Sequence, residues 1–357
     1  MSTLATNAIT DANGGNTASI NGYTPTMSNM AGRNRIINGD MRINQRSFSG
    51  TPSGGAYLLD RYFYNANASR VTVSQSSDAP ANFTNSISVT SSAASSIGVS
   101  DFTNLCQIVE GYNISDLSWG SASAKAITLS FWVKSSLTGT FGGGLRNKGT
   151  GGYYGYPFTY TISAANTWTY ITVTVAGPTS ISYTWDTNNT QGIYVWWDFG
   201  TGTTYTNTAG SWVNQNIVGA SGTTKLVETN GATWKMTGVQ LEEGSVATPF
   251  ENVDYSEMLR RCQRYYWKSG LVSESIGATG YMLAGNAIWS QFCFPVTMRA
   301  TPTVTVNGTW GVSNTGQPTI RASSQTNFML QIVASATGIA TTYPNTSDDY
   351  LAASIEL

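Results

Sequence analysis

Residues 234–268 read WKMTGVQLEEGSVATPFENVDYSEMLRRCQRYYWK, and they hold the one helix signal in a chain that otherwise reads as short strands. Asp254 is placed to cap the backbone N–H groups of the next turn. Glu257, three residues on, gives the spacing of a capping box. Tyr255, Met258, Leu259 and Cys262 then form an apolar stripe at helical period. Arg260, Arg261 and Arg264 crowd the C-terminal end, where cations meet the negative pole of the helix dipole. Upstream lies the end of one β domain. Downstream, Tyr265-Tyr266-Trp267 opens another. The spacing predicts a linking helix within residues 251–268, with Met258, Leu259 and Cys262 as interdomain or intersubunit packing residues.

Working back from the helix, residues 33–250 read as one β-sandwich. Strands are expected at 57–63, 69–75, 85–90, 105–110, 126–134, 158–162, 167–175, 192–199 and 233–241. Leu129, Phe131 and Val133 alternate with polar or outward residues, as do Ile171, Val173 and Val175. Period-two alternation puts one face on a core and the other in water. Many such strands, separated by Gly- and Asn-rich turns, predict a jelly roll. Working forward, residues 269–357 read as a smaller C-terminal β domain, with strands at 281–284, 288–294, 303–307, 327–334 and 350–357. The fold class expected is therefore mainly β: a jelly-roll sandwich, one short helix and a second β domain.

Residues 1–32 lack large apolar groups and carry the turn formers Asn13-Gly14-Gly15-Asn16 and Asn21-Gly22. A segment of this kind builds no core, and is a loose terminus or an arm that orders on a partner. At Arg33 the character changes to RNRIINGDMRINQR. Asn38-Gly39 is a turn dipeptide between apolar residues. Two readings stand for Arg33, Arg35, Arg42 and Arg46: pairing with local acids such as Asp40 and Asp60, or a contact surface.

Composition narrows the chemistry. Of 357 residues only 10% are charged, against roughly 25% in an average soluble protein, while 40% are hydrophobic and 12% aromatic. The net charge of −1 gives no basic footprint for nucleic acid. The absence of histidine removes the usual general base, the Ser-His and Cys-His dyads and the commonest transition-metal ligand. Cys106, Cys262 and Cys293 lack metal spacing and are expected as buried free thiols. No cofactor or metal is implied. MSTLATNAIT has neither a basic n-region nor an apolar core, and no run reaches the roughly 18 apolar residues of a membrane span. Synthesis in a cytoplasm without a secretory signal is expected, and no membrane insertion.

Aromatics crowd two places. One is Tyr153-Tyr154-Gly155-Tyr156, which follows GTGG and reads as a loop. The other is Trp185-Asp186 with Tyr194, Trp196 and Trp197-Asp198; Trp196 and Trp197 are adjacent on a strand, so one ring must leave the core if the strand is regular. Sugars bind by laying C–H faces on aromatic rings while polar groups take the hydroxyls. Tyr153, Tyr154, Tyr156, Trp196 and Trp197 are therefore the candidate glycan contacts; the competing role for each is packing. Carboxylates are sparse. Glu242-Glu243 and Asp348-Asp349 are adjacent pairs that diverge in a strand, poor geometry for a glycosidase. Gly142-Gly143-Gly144 lacks the Lys of a phosphate loop. No enzyme is expected.

Several stretches together resemble a known family: RNRIINGDMRINQR (33–46), LLDRYFY (58–64), ITLSFWVKS (127–135), TWKMTGVQLEEGSVATPFE (233–251), YSEMLRRCQRYYWKS (255–269) and FPVTMRATPTVT (294–305). In this order they resemble bacteriophage tail-fibre and related virion appendage proteins, in which a carbohydrate-binding-module-like jelly roll precedes a small β domain. The resemblance covers roughly residues 33–305. The start of the chain resembles cyanophage-like fibre proteins more loosely. The resemblance implies a homotrimer on the virion, joined to another virion protein through residues 1–32 and attaching the particle to host cell-surface glycan. It implies no particular sugar. The alternatives are a capsid or neck decoration that binds no glycan, and a polysaccharide depolymerase.

Overall fold

A computed structural model of the chain describes residues 32–269 and 277–357. The arm expected over 1–32 lies, but for Gly32, outside the described residues. The chain divides into two compact units. The first holds the residues through Arg42 with Ser49–Ala56 and Tyr62–Asn252. The second holds Ile43–Phe48, Tyr57–Arg61 and Val253–Leu357.

The first unit is a jelly-roll β-sandwich. Its strands are β1 (Ser49–Gly50), β2 (Tyr62–Ala66), β3 (Val71–Ser76), β4 (Ser86–Ser91), β5 (Thr103–Glu110), β6 (Ile127–Ser135), β7 (Gly139–Arg146), β8 (Gly155–Ile162), β9 (Thr169–Val175), β10 (Gln191–Asp198), β11 (Thr206–Asn207), β12 (Gly219–Ala220) and β13 (Thr233–Glu243). One sheet runs β1-β3-β4-β13-β6-β9 and the other β2-β5-β10-β7-β8, with all neighbours antiparallel. Leu129, Phe131 and Val133 are fully buried, as the alternation requires. Phe131 meets Tyr160 and Trp197 edge-on.

β7 is absent from the sequence reading. GTFGGGLR looks like turn chemistry, yet it is an interior strand between β10 and β8. Packing explains the glycines: a Cβ on Gly143 would sit 2.2 Å from the Trp196 carbonyl oxygen and 2.4 Å from the Phe158 ring. Bare backbone here lets neighbouring aromatics close over the strand.

The arginine cluster resolves into ion pairs. Arg35 meets Asp116 at 2.7 Å, Arg42 pairs with Asp40, Arg46 reaches Glu356 at 2.9 Å, and Arg33 bonds the Pro249 carbonyl at 2.8 Å. Pairing, not a free basic surface, accounts for them.

At the end of β6, Asp78 gathers Lys134 and Lys235, each at 2.7 Å, and the Trp168 indole N–H at 3.2 Å. Partial burial pushes its carboxyl up, but these three donors outweigh that and hold it at about 2. A depressed carboxylate contributes stability above its ordinary pKa and loses it as pH falls through the folded value. The wild type should therefore lose melting temperature between about pH 4 and pH 2 more steeply than Asp78→Asn. Parallel thermal curves for the two proteins over that window would remove this contribution.

The second unit contains α1 (Tyr255–Gln263) and the strands β14 (Tyr266–Lys268), β15 (Ala278–Met282), β16 (Ala287–Cys293), β17 (Thr303–Asn307), β18 (Gly311–Ser313), β19 (Thr319–Ser323), β20 (Asn327–Val333), β21 (Gly338–Tyr343) and β22 (Tyr350–Ser354). They form three-stranded sheets in the orders β14-β22-β17, β15-β21-β18 and β16-β20-β19. One core cluster is Phe294, Met298, Trp310, Phe328, Leu330, Leu351 and Ala353, and a second is Ala278, Met282, Ile332, Ala334 and Ala340. β18, β19 and β21 escape the sequence reading because GVS, TIRAS and GIATTY are short or made of small residues. Asp254 caps α1 by accepting from Ser256 N–H at 2.8 Å, whereas Glu257 binds Arg261 at 3.1 Å. Met258 and Cys262 are buried, Leu259 is half-buried and Tyr255 exposed. Of the cysteines, Cys106 and Cys262 are buried but Cys293 is exposed, contrary to expectation.

Segments 43–48 and 57–61, expected in the sandwich, belong to this unit. Gln45 donates through its backbone N–H to Asp60 at 2.7 Å and through its amide to the Tyr266 carbonyl at 2.9 Å. The Tyr57 hydroxyl donates to the Leu357 carbonyl at 2.7 Å. Arg46 and Arg61 both bind Glu356 and lie over Tyr266 and Tyr265, each at 3.6 Å. The Tyr57, Arg46 and Arg61 contacts tie the chain's last residues to these two segments.

Candidate functional site

The five aromatic residues singled out from sequence have separate fates. Trp197 is core, beside Tyr62 and Phe131. Tyr154 stacks on Tyr183 at 4.2 Å and 6°, and Tyr156 packs on Trp212 at 5.3 Å. Tyr156 lies on β8 rather than on a loop. Tyr153 is 41% exposed. Trp196 leaves the inter-sheet core, as adjacency to Trp197 demands, yet is only 2% exposed because Tyr194 and Arg146 cover it. Of the five, the structure brings together Tyr153 and Trp196 through Arg146, and Tyr154 and Tyr156 through Trp212.

A better-formed concavity lies on the outward face of the six-stranded sheet. Trp132 on β6 and Tyr170 on β9 are direct cross-strand partners with rings 5.2 Å apart. Both stand opposite to the buried Phe131 and Ile171 because side chains alternate along a strand. Across from them, Phe83 and Phe250 meet edge-on at 5.1 Å. Between the two pairs opens a groove of about 500 Å³, with Ser130, Asn82, Thr248 and Asn252 among its uncharged polar walls. A β-bulge in β13 between Thr237 and Gln240 makes the room. Its residue Gly238 has φ +63°, and a Cβ there would fall 2.7 Å from the Phe83 ring and 3.1 Å from Trp132. Only glycine satisfies both the left-handed backbone and the ring contacts.

No family model matches the chain, and no curated protein matches it. Among solved structures the chain is similar to the enzymatically active domain of bacteriophage CBA120 tailspike protein 4, at 14% identity over 59% of this chain and 21% of that one, with a TM-score of 0.33. It is similar to the CBM22-2 xylan-binding domain of Paenibacillus barcinonensis Xyn10C, at 17% identity over 55% of this chain and 99% of that one, TM-score 0.30. It is also similar to the family 11 carbohydrate-binding module of the Clostridium thermocellum cellulase Lic26A-Cel5E, at 11% identity over 56% and 97%, TM-score 0.29. This chain thus spans about a fifth of the length of that tailspike domain.

The groove carries no carboxylate in its lining. Several acidic side chains outside the lining have partners of their own. Glu242 accepts from Gln240, Thr248 N–H and the Thr248 hydroxyl, at 2.6–2.8 Å. Glu243 pairs with Lys125 at 3.1 Å, Asp198 with Lys225 at 2.7 Å and Asp186 with Lys148 at 3.4 Å. Asp349 accepts three backbone N–H groups, at 2.7–2.8 Å. What the groove offers is flat aromatic surface with the exposed amides of Asn82 and Asn252 as polar partners, which suits a saccharide ring.

Trp132, Tyr170, Phe83 and Phe250 were not found from sequence. The signal was present for two of them: once Leu129, Phe131 and Val133 are assigned to the core, Trp132 must face out, and so must Tyr170 beside Ile171. Phe83 and Phe250 come from irregular segments, and nothing local announces their meeting.

Proposed function

We propose that this chain is a non-catalytic glycan-binding subunit of a bacteriophage virion, a homotrimeric tail fibre or surface appendage that attaches the particle to host surface glycan. The observation that carries the glycan reading is the Trp132–Tyr170 and Phe83–Phe250 groove. Its aromatic walls and uncharged polar rim match a sugar's apolar faces and hydroxyls, and no carboxylate pair faces it for hydrolysis. The virion reading is supported by the ordered resemblance of residues 33–305 to fibre proteins. Homotrimerisation is supported by bare apolar strand faces in the second unit. Tyr281 and Ile339 are cross-strand partners, 73% and 65% exposed, and Trp289 is 55% exposed. Exposed apolar surface of this kind marks association sites.

The test is a glycan array probed with the full chain, run beside native mass measurement and a reducing-end assay on the glycans that bind. Binding to a defined set of glycans, a mass near three times 38.1 kDa and no released reducing ends are expected. A chain that binds no glycan favours the decoration subunit. Released reducing ends would make it a depolymerase.

A further inference from the structure

A second site lies on the other sheet, around Arg146 at the end of β7. Arg146 is 9% exposed, and its guanidinium lies over three rings: Tyr194 at 4.7 Å, Tyr153 at 4.9 Å and Trp196 at 5.5 Å. Arg35, Arg42, Arg46, Arg61 and Arg70 each pair with a carboxylate. Arg146 pairs with none among the described residues. Its Nη1 donates to the Asn216 amide oxygen, which is neutral. Its Nε–H is buried with no acceptor, and so is the Trp196 indole N–H.

A buried cation without a counter-charge is unfavourable, and two buried donors without acceptors add to the cost. Burial also pulls the Arg146 pKa below its ordinary value. Both unmatched groups are donors in one aromatic enclosure, so the complement is an acceptor-only anion. A guanidinium fork fits a carboxylate with two parallel hydrogen bonds. The Tyr194 ring stacks on the buried Trp196 at 5.5 Å and 12°, which holds half-buried Tyr194 as a flat wall for the rest of a sugar. Tyr153, the exposed ring of the three, is the wall past which a ligand enters. It stands at the end of a loop carrying Gly149, Gly151 and Gly152.

We propose that Arg146, with Tyr153, Tyr194 and Trp196, forms a site for the carboxylate of an acidic sugar. The proposal rests on the reading that the chain binds glycans, and it assigns acidic residues of such a glycan to a place separate from the Trp132 groove.

The test is calorimetric titration of the full-length protein with sodium glucuronate, with glucose and with sodium sulfate, at low and high salt. Glucuronate should bind roughly tenfold to a hundredfold more tightly than glucose, the range of a charge-assisted hydrogen-bonded pair. Added salt should narrow the gap. Arg146→Gln should abolish the preference, and Arg146→Lys should restore only part of it, because an ammonium lacks the planar fork. Equal binding of glucuronate and glucose by the wild type overturns the proposal without any variant. So does a preference that survives Arg146→Gln. Sulfate binding as tightly as glucuronate overturns the sugar assignment and leaves a general anion site. If neutral glycans bind and glucuronate gains nothing, this inference alone fails. If no saccharide binds, the glycan reading fails with it.

Discussion

Replacing Glu356 with alanine is expected to cost about 3–5 kcal/mol, the usual penalty for stranding a buried cation. Glu356 is 5% exposed and binds two arginines, Arg61 at 1% exposure and Arg46 at 13%. Burial draws the Arg61 guanidinium toward the neutral form, and Glu356 together with Tyr265 and Tyr57 more than offsets it, leaving its pKa raised. Without the carboxylate, Arg61 keeps the desolvation and loses the largest of the interactions that opposed it. Arg299 also anchors this end, donating to the Ile355 and Glu356 carbonyls at 3.1 and 3.0 Å. The penalty is a large share of the 5–15 kcal/mol typical of a whole domain. Calorimetry should show the second unit melting well below its wild-type temperature in Glu356→Ala. Arg46→Ala, which removes a more exposed partner and strands no cation, should shift it less. A loss under about 1 kcal/mol for Glu356→Ala would mean that water already solvates Arg61.

The same cluster shows where sequence reading stops. Arg46 and Arg61 were visible as charges, and the C-terminal SIEL as a strand end. Their meeting spans some 300 residues, and no local pattern encodes it: Arg46 and Glu356 are 310 positions apart. By contrast, ITLSFWVKS states its own structure, because alternation fixes which side chains are buried. The helix was legible for the same reason, down to its Asp254 cap. Glycine misled at one place. At Gly142–Gly144 a run that resembles a loop is an interior strand, since the demand for small residues comes from packed neighbours: Trp196 and Phe158 at Gly143, Thr223 and Ala220 at Gly142, Ile217 at Gly144. The candidate site divides similarly. Trp196 and Tyr153 were found as aromatics, but Arg146, which joins them, lay beyond the glycine run and was read as part of no element.

Removing the Trp132 ring is expected to weaken glycan binding by roughly tenfold to a hundredfold, in line with the 1–3 kcal/mol scale of a buried aromatic contact at a recognition site. Trp132 supplies one plate of the groove and sets the angle of the other, since Tyr170 leans on it at 47°. The fold should tolerate the change. Trp132 is half-buried on the outward face, while the core beneath is held by Phe131, Leu129 and Val133. Trp132→Ala should therefore melt near the wild-type temperature while losing affinity for whichever glycan the array identifies. Tyr170→Ala should act in the same direction and more weakly, its ring being 42% exposed. Gly238→Ala gives an independent approach to the same groove. Its added methyl meets Phe83 and Trp132 and requires a left-handed backbone, so it should impair binding and lower stability together. Trp132→Ala and Tyr170→Ala with wild-type affinity would place the glycan elsewhere on the chain, and the Arg146 enclosure would then be the site to test first.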